Sequence, residues 1–326
     1  MTQYWFAAST EEFLPHELIE QAKAAEQAGF DALGVSDHFA PWWPEGRATF
    51  AWTHLGAVGQ VTTKPIGTGV TPIVHHYHPG VVAQAFMSLE ALYPGRTWLG
   101  VGSGESVNEV PLGLDWPRPK EQIARLDSGL EAITRLWDGE TVTMDGGWFR
   151  LEEAKLYTRA DTRPKLYVSA FGPQAAQVAG KYGDGLWTLG DPEAAPKVID
   201  AYKEACERNG KPVGEIIVQS GFHLADDEQK AIQGARHWKP TQLPEVYKYD
   251  IHDPAEKQRL ADEKLTDEQF AKEGFLVGAD PDEHVERIRE MEGLGATVVS
   301  LQLIGNADPM GSIRRYGEEV LPKLRD

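Results

Sequence analysis

One property of the sequence restricts its fold more than any other. Short apolar segments and helix-patterned segments alternate in near-equal units along almost the whole chain. Eight segments read as strands: Tyr4–Ser9, Ala32–Ser36, Ile66–Thr71, Trp98–Gly102, Leu166–Ala170, Gly185–Thr188, Glu215–Gln219 and Val298–Leu303. Most lead into a helix pattern. Residues 15–29 place Pro15 in a first turn, Leu18, Ile19, Ala22 and Ala25 on one face, and Gly29 at the stop. Pro79–Leu92, Gln122–Trp137, Pro173–Tyr182 and Pro192–Asn209 follow the same plan. Eight such units predict a (β/α)8 barrel, the TIM-barrel architecture, with its active site at the C-terminal ends of the strands. A doubly wound sheet is the competing arrangement, but it has no need of eight near-equal units. The 326 residues suit one barrel domain spanning 1–326, because such barrels run past ~250 residues.

Three connections are too long for plain loops: residues 37–65 after the second strand, 104–121 with 138–163 around the fourth, and 221–280 after the seventh. The last contains "DPAEKQRLADEKLTDEQFAKEG", charged and helical, and reads as a solvated lid or flank.

A formal charge of −18 argues against nucleic acid or an anionic membrane as partner. It leaves room for an anionic ligand, since helix N-termini bind phosphate without lysine. No apolar run reaches the ~18 residues of a membrane span, and no basic-then-apolar signal pattern opens the chain. Cys206, the single cysteine, excludes an internal disulfide and suits a reducing cytoplasm. It sits in a helical pattern and reads as a small half-buried residue rather than a nucleophile. The expected partners are a small-molecule substrate and a second copy of the chain in a homodimer.

Polar and glycine-rich residues gather at the expected strand ends. The first strand ends in Ser9, with Glu11 just beyond, and the second runs into "VSDHFAPWW", with Asp37, His38, Trp42 and Trp43. "GTGVTP", "GVGSGESVNE" and "SAFGP" follow the third, fourth and fifth. His38 reads either as an imidazole bonded to backbone at a loop start or as a group that takes and returns a hydroxyl proton. The adjoining acid and indoles favour the second. Asp37 suits a cofactor edge or a turn cap, and Trp42 a ring stack or core cover. Glycines 100, 102 and 104 admit a flat ligand, although their spacing does not match the dinucleotide fingerprint. Glu105 is a helix-start acid or a catalytic one, with Asn108 three residues on. Gly172 and Pro173 open a helix, a ready anion site or an ordinary turn. "HHYH" (His75–His78) has no acidic partner at ligand spacing, so no metal site is expected.

"SDHFAPW", "GTGVTP" followed by "HPGVVAQAF", "LYPGRTWLGVGSGESVNE", "AFGPQAAQVAGKYGDG" and "GADPDEHVERI" together span nearly the whole chain in order. With them the sequence resembles the coenzyme F420-dependent branch of the luciferase-like (β/α)8 oxidoreductases. It is most similar to the F420-dependent glucose-6-phosphate dehydrogenase group. The resemblance implies that Asp37 contacts the deazaflavin and that Gly69–Val70 is a non-proline cis peptide backing its ring. Ser103, Gly104 and Asn108 would line the cofactor, and Ala170, Phe171, Gly172 and Gln174 would lie along it and its phosphate tail. Phe171 departs from the smaller residue usual there. His38 and Glu105 match the two catalytic positions, Trp42 the indole over the reacting carbon, and Glu11 an acid near the substrate, beside Trp43. Hydride would pass from a carbinol carbon to C5 of the deazaflavin while His38 accepts the hydroxyl proton.

The departures bear on the substrate. The group's sugar-phosphate cations correspond to Pro192, Glu273 and Lys248, of which only Lys248 is basic. A phosphorylated sugar is therefore disfavoured. The expectation is an F420-dependent dehydrogenase acting on an alcohol or uncharged sugar. The alternatives are a reduced-flavin (FMN) monooxygenase, an F420-dependent sugar-6-phosphate dehydrogenase and a non-catalytic deazaflavin-binding protein.

Overall fold

The strand segments lack an apolar–polar alternation because both of their faces are covered. Parallel strands wrapped by helices have no wet side. In the computed structural model, which describes residues 1–326 apart from the side chain of Glu273, five of the six residues of β1 (Gln3–Ala8) are buried. β2 (Ala32–Val35), β3 (Ile66–Thr68), the two-residue β4 (Thr71–Pro72) and β5 (Thr97–Gly102) follow. A hairpin of β6 (Val142–Asp145) and β7 (Arg150–Ala154) precedes β8 (Lys165–Ser169), β9 (Gly185–Leu189) and β10 (Glu215–Leu224). β11 (Leu276–Gly278) and β12 (Val298–Leu303) complete the strands. Parallel pairings run β1–β2–β3–β5–β8–β9–β10–β12 and return to β1, closing an eight-stranded (β/α)8 barrel. All eight strands expected from the sequence are present.

Their edges differ in places. The third strand stops at Thr68 rather than Thr71; the Gly69–Val70 peptide that follows is cis, and pairing with β5 resumes at β4. The seventh is longer than expected, running to Leu224, since β11 pairs with its far end. The helix expected at Pro192–Asn209 spans Ala195–Arg208, because Asp191 Oδ1 caps the turn before it through the N–H groups of Glu193 and Ala194.

Indoles fill the barrel. Trp5, Trp98 and Trp187 pack inside, with ring centroids 4.7 Å (Trp5–Trp98) and 6.2 Å (Trp5–Trp187) apart. Gly69 makes room for them, since a Cβ there would lie 2.5 Å from the Trp187 ring. The outer core of aliphatic and phenyl side chains joins the strands to helices such as Pro15–Ala28 and Pro79–Leu92.

The insertion after β10 corrects the reading of a solvated flank. Helices Glu228–Ala235, Glu245–Lys248, Pro254–Lys264 and Asp267–Glu273 form a cap with an apolar core of its own, including Trp238, Val246, Ala261 and Phe270. Trp42, Trp43 and Val107 from the barrel rim join that core. Glu12 ties the cap down, with one carboxylate oxygen 2.8 Å from His237 Nε2 and the other accepting Trp238 Nε1–H at 2.9 Å. Among the described residues no helix is long and apolar enough to cross a membrane.

Candidate active site

Where β2 ends, successive residues face different partners. His38 points its Nε2 into a gap between two carboxylates, 3.4 Å from Glu11 Oε1 and 3.4 Å from Glu105 Oε2. Each acid is held by neighbours. Glu11, just past β1, accepts from Thr10 Oγ1 at 3.1 Å and from Ser36 Oγ, both on its other oxygen. Glu105 opens the short helix Ser106–Glu109, yet its side chain makes no capping bond. It accepts instead from Asn108 Nδ2 at 3.2 Å, while Asn108 Oδ1 accepts the Phe39 N–H at 2.9 Å. Asn108 thus fixes the His38 loop and Glu105 to one another. The helix-start reading of Glu105 gives way to one in which its charge faces the imidazole.

Burial alone would disfavour a charged His38. The Coulombic pull of Glu11, Glu105 and Asp37 outweighs it and raises the imidazole above the ordinary histidine value. Glu105 is also raised, by desolvation first, with His38 and Lys257 pulling the other way. A titration of the His38 imidazole by NMR should therefore give a midpoint above ~6.5. In Glu105→Gln the midpoint should move down, because a carboxylate that stabilises the imidazolium has been removed. An unchanged midpoint would show that Glu105 does not act on this ring.

Asp37 faces elsewhere and is buried. Thr71 Oγ1 (2.7 Å) and Trp52 Nε1 (3.0 Å) donate to one oxygen and the Tyr77 hydroxyl (3.2 Å) to the other. Three of roughly four acceptor positions are used, so Asp37 is anchored with one lone pair to spare. Desolvation raises its pKa against these bonds and the nearby histidines.

The residues expected to cradle a flat ligand share the C-terminal rim of β3, β5 and β8. Val70 packs so closely under β5 that a Cβ on Gly102 would lie 2.8 Å from its Cγ2. Gly104 has φ +79°, and a Cβ there would meet buried Glu109 Oε1 at 2.7 Å, so the position takes only glycine. Ser103 is half-buried beside it, and Ala170 is buried at the end of β8. Gly172 starts helix Pro173–Tyr182 with no side chain capping it, and Gln174 is exposed in the first turn. Phe171 is exposed, edge-on to Tyr247 with centroids 6.0 Å apart.

Trp42 is buried, its ring centroid 5.4 Å from His38 and 5.6 Å from Tyr247. Trp43, also buried, turns to the cap and packs on His237 and Trp238. Lys248 is exposed at the end of Glu245–Lys248, and Pro192 is exposed before Ala195. The Glu273 side chain lies outside the described residues. The "HHYH" run has local duties: His76 Nδ1 lies 2.9 Å from Glu109 Oε2, and His78 accepts from Gly80 N–H at the start of Pro79–Leu92. A surface cleft of about 470 Å³ beside helix Ala51–Val61 contains none of the residues of the His38 cluster.

Sequence reading missed Trp52, Thr71 and Tyr77 around Asp37, Tyr247 against Trp42, and Lys257. Only Lys257 carried a local signal, since it shares a helical face with Leu260 and Ala261 where a charge is out of place.

A barrel with a histidine between two acids, under an indole and beside a glycine-lined rim, has the parts of an oxidoreductase that moves a proton next to a bound ring. Comparison with known proteins gives the family. Residues 2–298 match the family model described as luciferase-like monooxygenase, and the chain belongs to this luciferase-like family. It is 41% identical to an F420-dependent glucose-6-phosphate dehydrogenase of Nakamurella multipartita, over 99% of this chain and 96% of that one. A protein so named from Microbacterium testaceum is 39% identical over 99% and 97%. A solved F420-dependent secondary alcohol dehydrogenase, in complex with an F420–acetone adduct, superposes with a TM-score of 0.94 at 32% identity, covering 100% of this chain and 99% of that one.

Proposed function

We propose that the chain is an F420-dependent dehydrogenase that oxidises the carbinol of an alcohol or non-phosphorylated sugar, or reduces the carbonyl in reverse. The observation that carries the reading is His38 held between Glu11 and Glu105 at the C-terminal rim of the barrel. The rim fits a deazaflavin: Val70 at the cis bond backs a flat ring, and Ser103, Gly104, Asn108 and Ala170 border it. Asp37 offers its remaining lone pair, and Phe171, Gly172 and Gln174 line the path of an anionic tail. When bound, F420 supplies a hydride acceptor or donor at C5.

The protein's part is the proton and the position. Neutral His38 takes the hydroxyl proton, and Glu11 and Glu105 stabilise the resulting imidazolium. Trp42, packed against His38, excludes water and orients the carbinol. A homodimer in the cytoplasm belongs to the same reading, with the single cysteine buried.

Fluorescence titration should give micromolar or tighter binding of F420 and much weaker binding of FMN. Equal or tighter FMN binding would favour a monooxygenase. Reduction of F420 by secondary alcohols, glucose and glucose 6-phosphate, followed at the deazaflavin absorption band, tests the substrate class. Glucose 6-phosphate as the best of that panel would overturn the non-phosphorylated reading.

A further inference from the structure

We propose that Lys257 is a specificity-determining residue that donates hydrogen bonds to a second oxygen of the substrate, away from the reacting carbinol. The inference rests on the dehydrogenase reading above. Lys257 projects from cap helix Pro254–Lys264 and is completely buried, at 0% exposure. Its Nζ lies 4.6 Å from the centre of the Trp42 ring and makes no hydrogen bond to any described group. A buried ammonium with three unused donors is costly, and attraction to an indole face offsets only part of that cost. An acceptor brought by the substrate would complete it.

Charge and position narrow the acceptor. Burial raises the Glu105 carboxyl, and the opposite charges of His38 and Lys257 both pull against it. The reacting oxygen belongs beside His38 Nε2, so an oxygen at Lys257 belongs further along the substrate. Glu105, Asp250 and Glu256 already oppose the lysine's charge. A neutral hydroxyl or carbonyl oxygen therefore suits the position better than another anion. Burial lowers the lysine to about 8, so it is still mostly protonated at pH 7. The substrate class is a carbinol carrying further oxygens, and a monofunctional alcohol cannot use this contact.

The test compares wild type, Lys257→Met and Lys257→Gln on F420-loaded enzyme, with glucose and propan-2-ol as probes. Methionine matches the buried stem and removes an unpaired charge, so the melting temperature should hold or rise. In both variants KM for glucose should rise at least ~10-fold, the worth of a charge-assisted hydrogen bond, with kcat within about threefold. Propan-2-ol should change less than about threefold in kcat/KM. Tryptophan-fluorescence titration with glucose gives the same contrast without turnover. Equal losses on both probes, no loss on either, or no glucose binding by wild type would each overturn the assignment. Glucose binding that depends on Lys257, without F420 reduction, would uphold Lys257 and sink the dehydrogenase reading instead.

Discussion

His38→Ala is expected to lower turnover ~10²–10⁴-fold, the usual worth of a general base, while F420 affinity stays within a few-fold. The separation follows from geometry. His38 Nε2 faces Glu11 and Glu105, whereas the neighbouring Asp37 is anchored by Thr71, Trp52 and Tyr77 on another side. Loss of the imidazole removes the counter-charge between buried Glu11 and half-buried Glu105, and Glu105, already raised by desolvation, is pushed further up. His38→Gln, which keeps the volume, separates that disturbance from loss of the base. Stopped-flow reduction of bound F420, with the melting temperature as a folding control, measures both. Near-native turnover in a folded variant would remove His38 from the proton path and leave Glu105 or water to serve.

Glucose 6-phosphate should be used at least ~100-fold less efficiently, by kcat/KM, than the best neutral alcohol or sugar. A charge-assisted hydrogen bond to phosphate is worth ~1.5–3 kcal/mol, so two missing cations remove ~3–6 kcal/mol. The family resemblance implies that Pro192 and Glu273 fall at two of the three cation positions, and the third, Lys248, is exposed. Lys257 could return one such bond, but a dianion beside it would also meet the charges of Glu105, Asp250 and Glu256. At ~1.4 kcal/mol per tenfold, the remaining deficit and this repulsion together sustain the factor. The formal charge of −18 offers no long-range attraction in compensation. Steady-state kinetics on the three substrate types decides the matter, and a ratio near unity would mean that cations elsewhere rebuild a phosphate site.

The barrel was legible because each strand–helix unit is a local pattern, and the eight units fall in chain order. His38, Asp37 and Glu105 were legible because they sit where strands end. The clamp between Glu12 and His237 was not, because its two halves are 225 positions apart and neither has a distinctive neighbourhood. The insertion after β10 misled for a related reason. Its charges dominate the composition, while the thin apolar stripe of Leu260, Ala261 and Phe270 gains meaning only when Trp42 and Trp43 cover it. The cis bond at Gly69–Val70 has no signature in composition or period, and only family resemblance pointed to it.

The cap has an evolutionary consequence. The proton-handling residues and the glycine rim belong to the barrel, whereas Lys257 and Tyr247 belong to residues 225–275, one uninterrupted stretch between β10 and β11. That stretch brings its own apolar core and is fastened to the first strand's loop by Glu12. Mutations within it can therefore accumulate without disturbing the register of the barrel, while Glu11, His38 and Glu105 come from the barrel's own loops. A lineage built this way can trade one substrate for another by drift in a single segment, while the hydride chemistry is inherited unchanged.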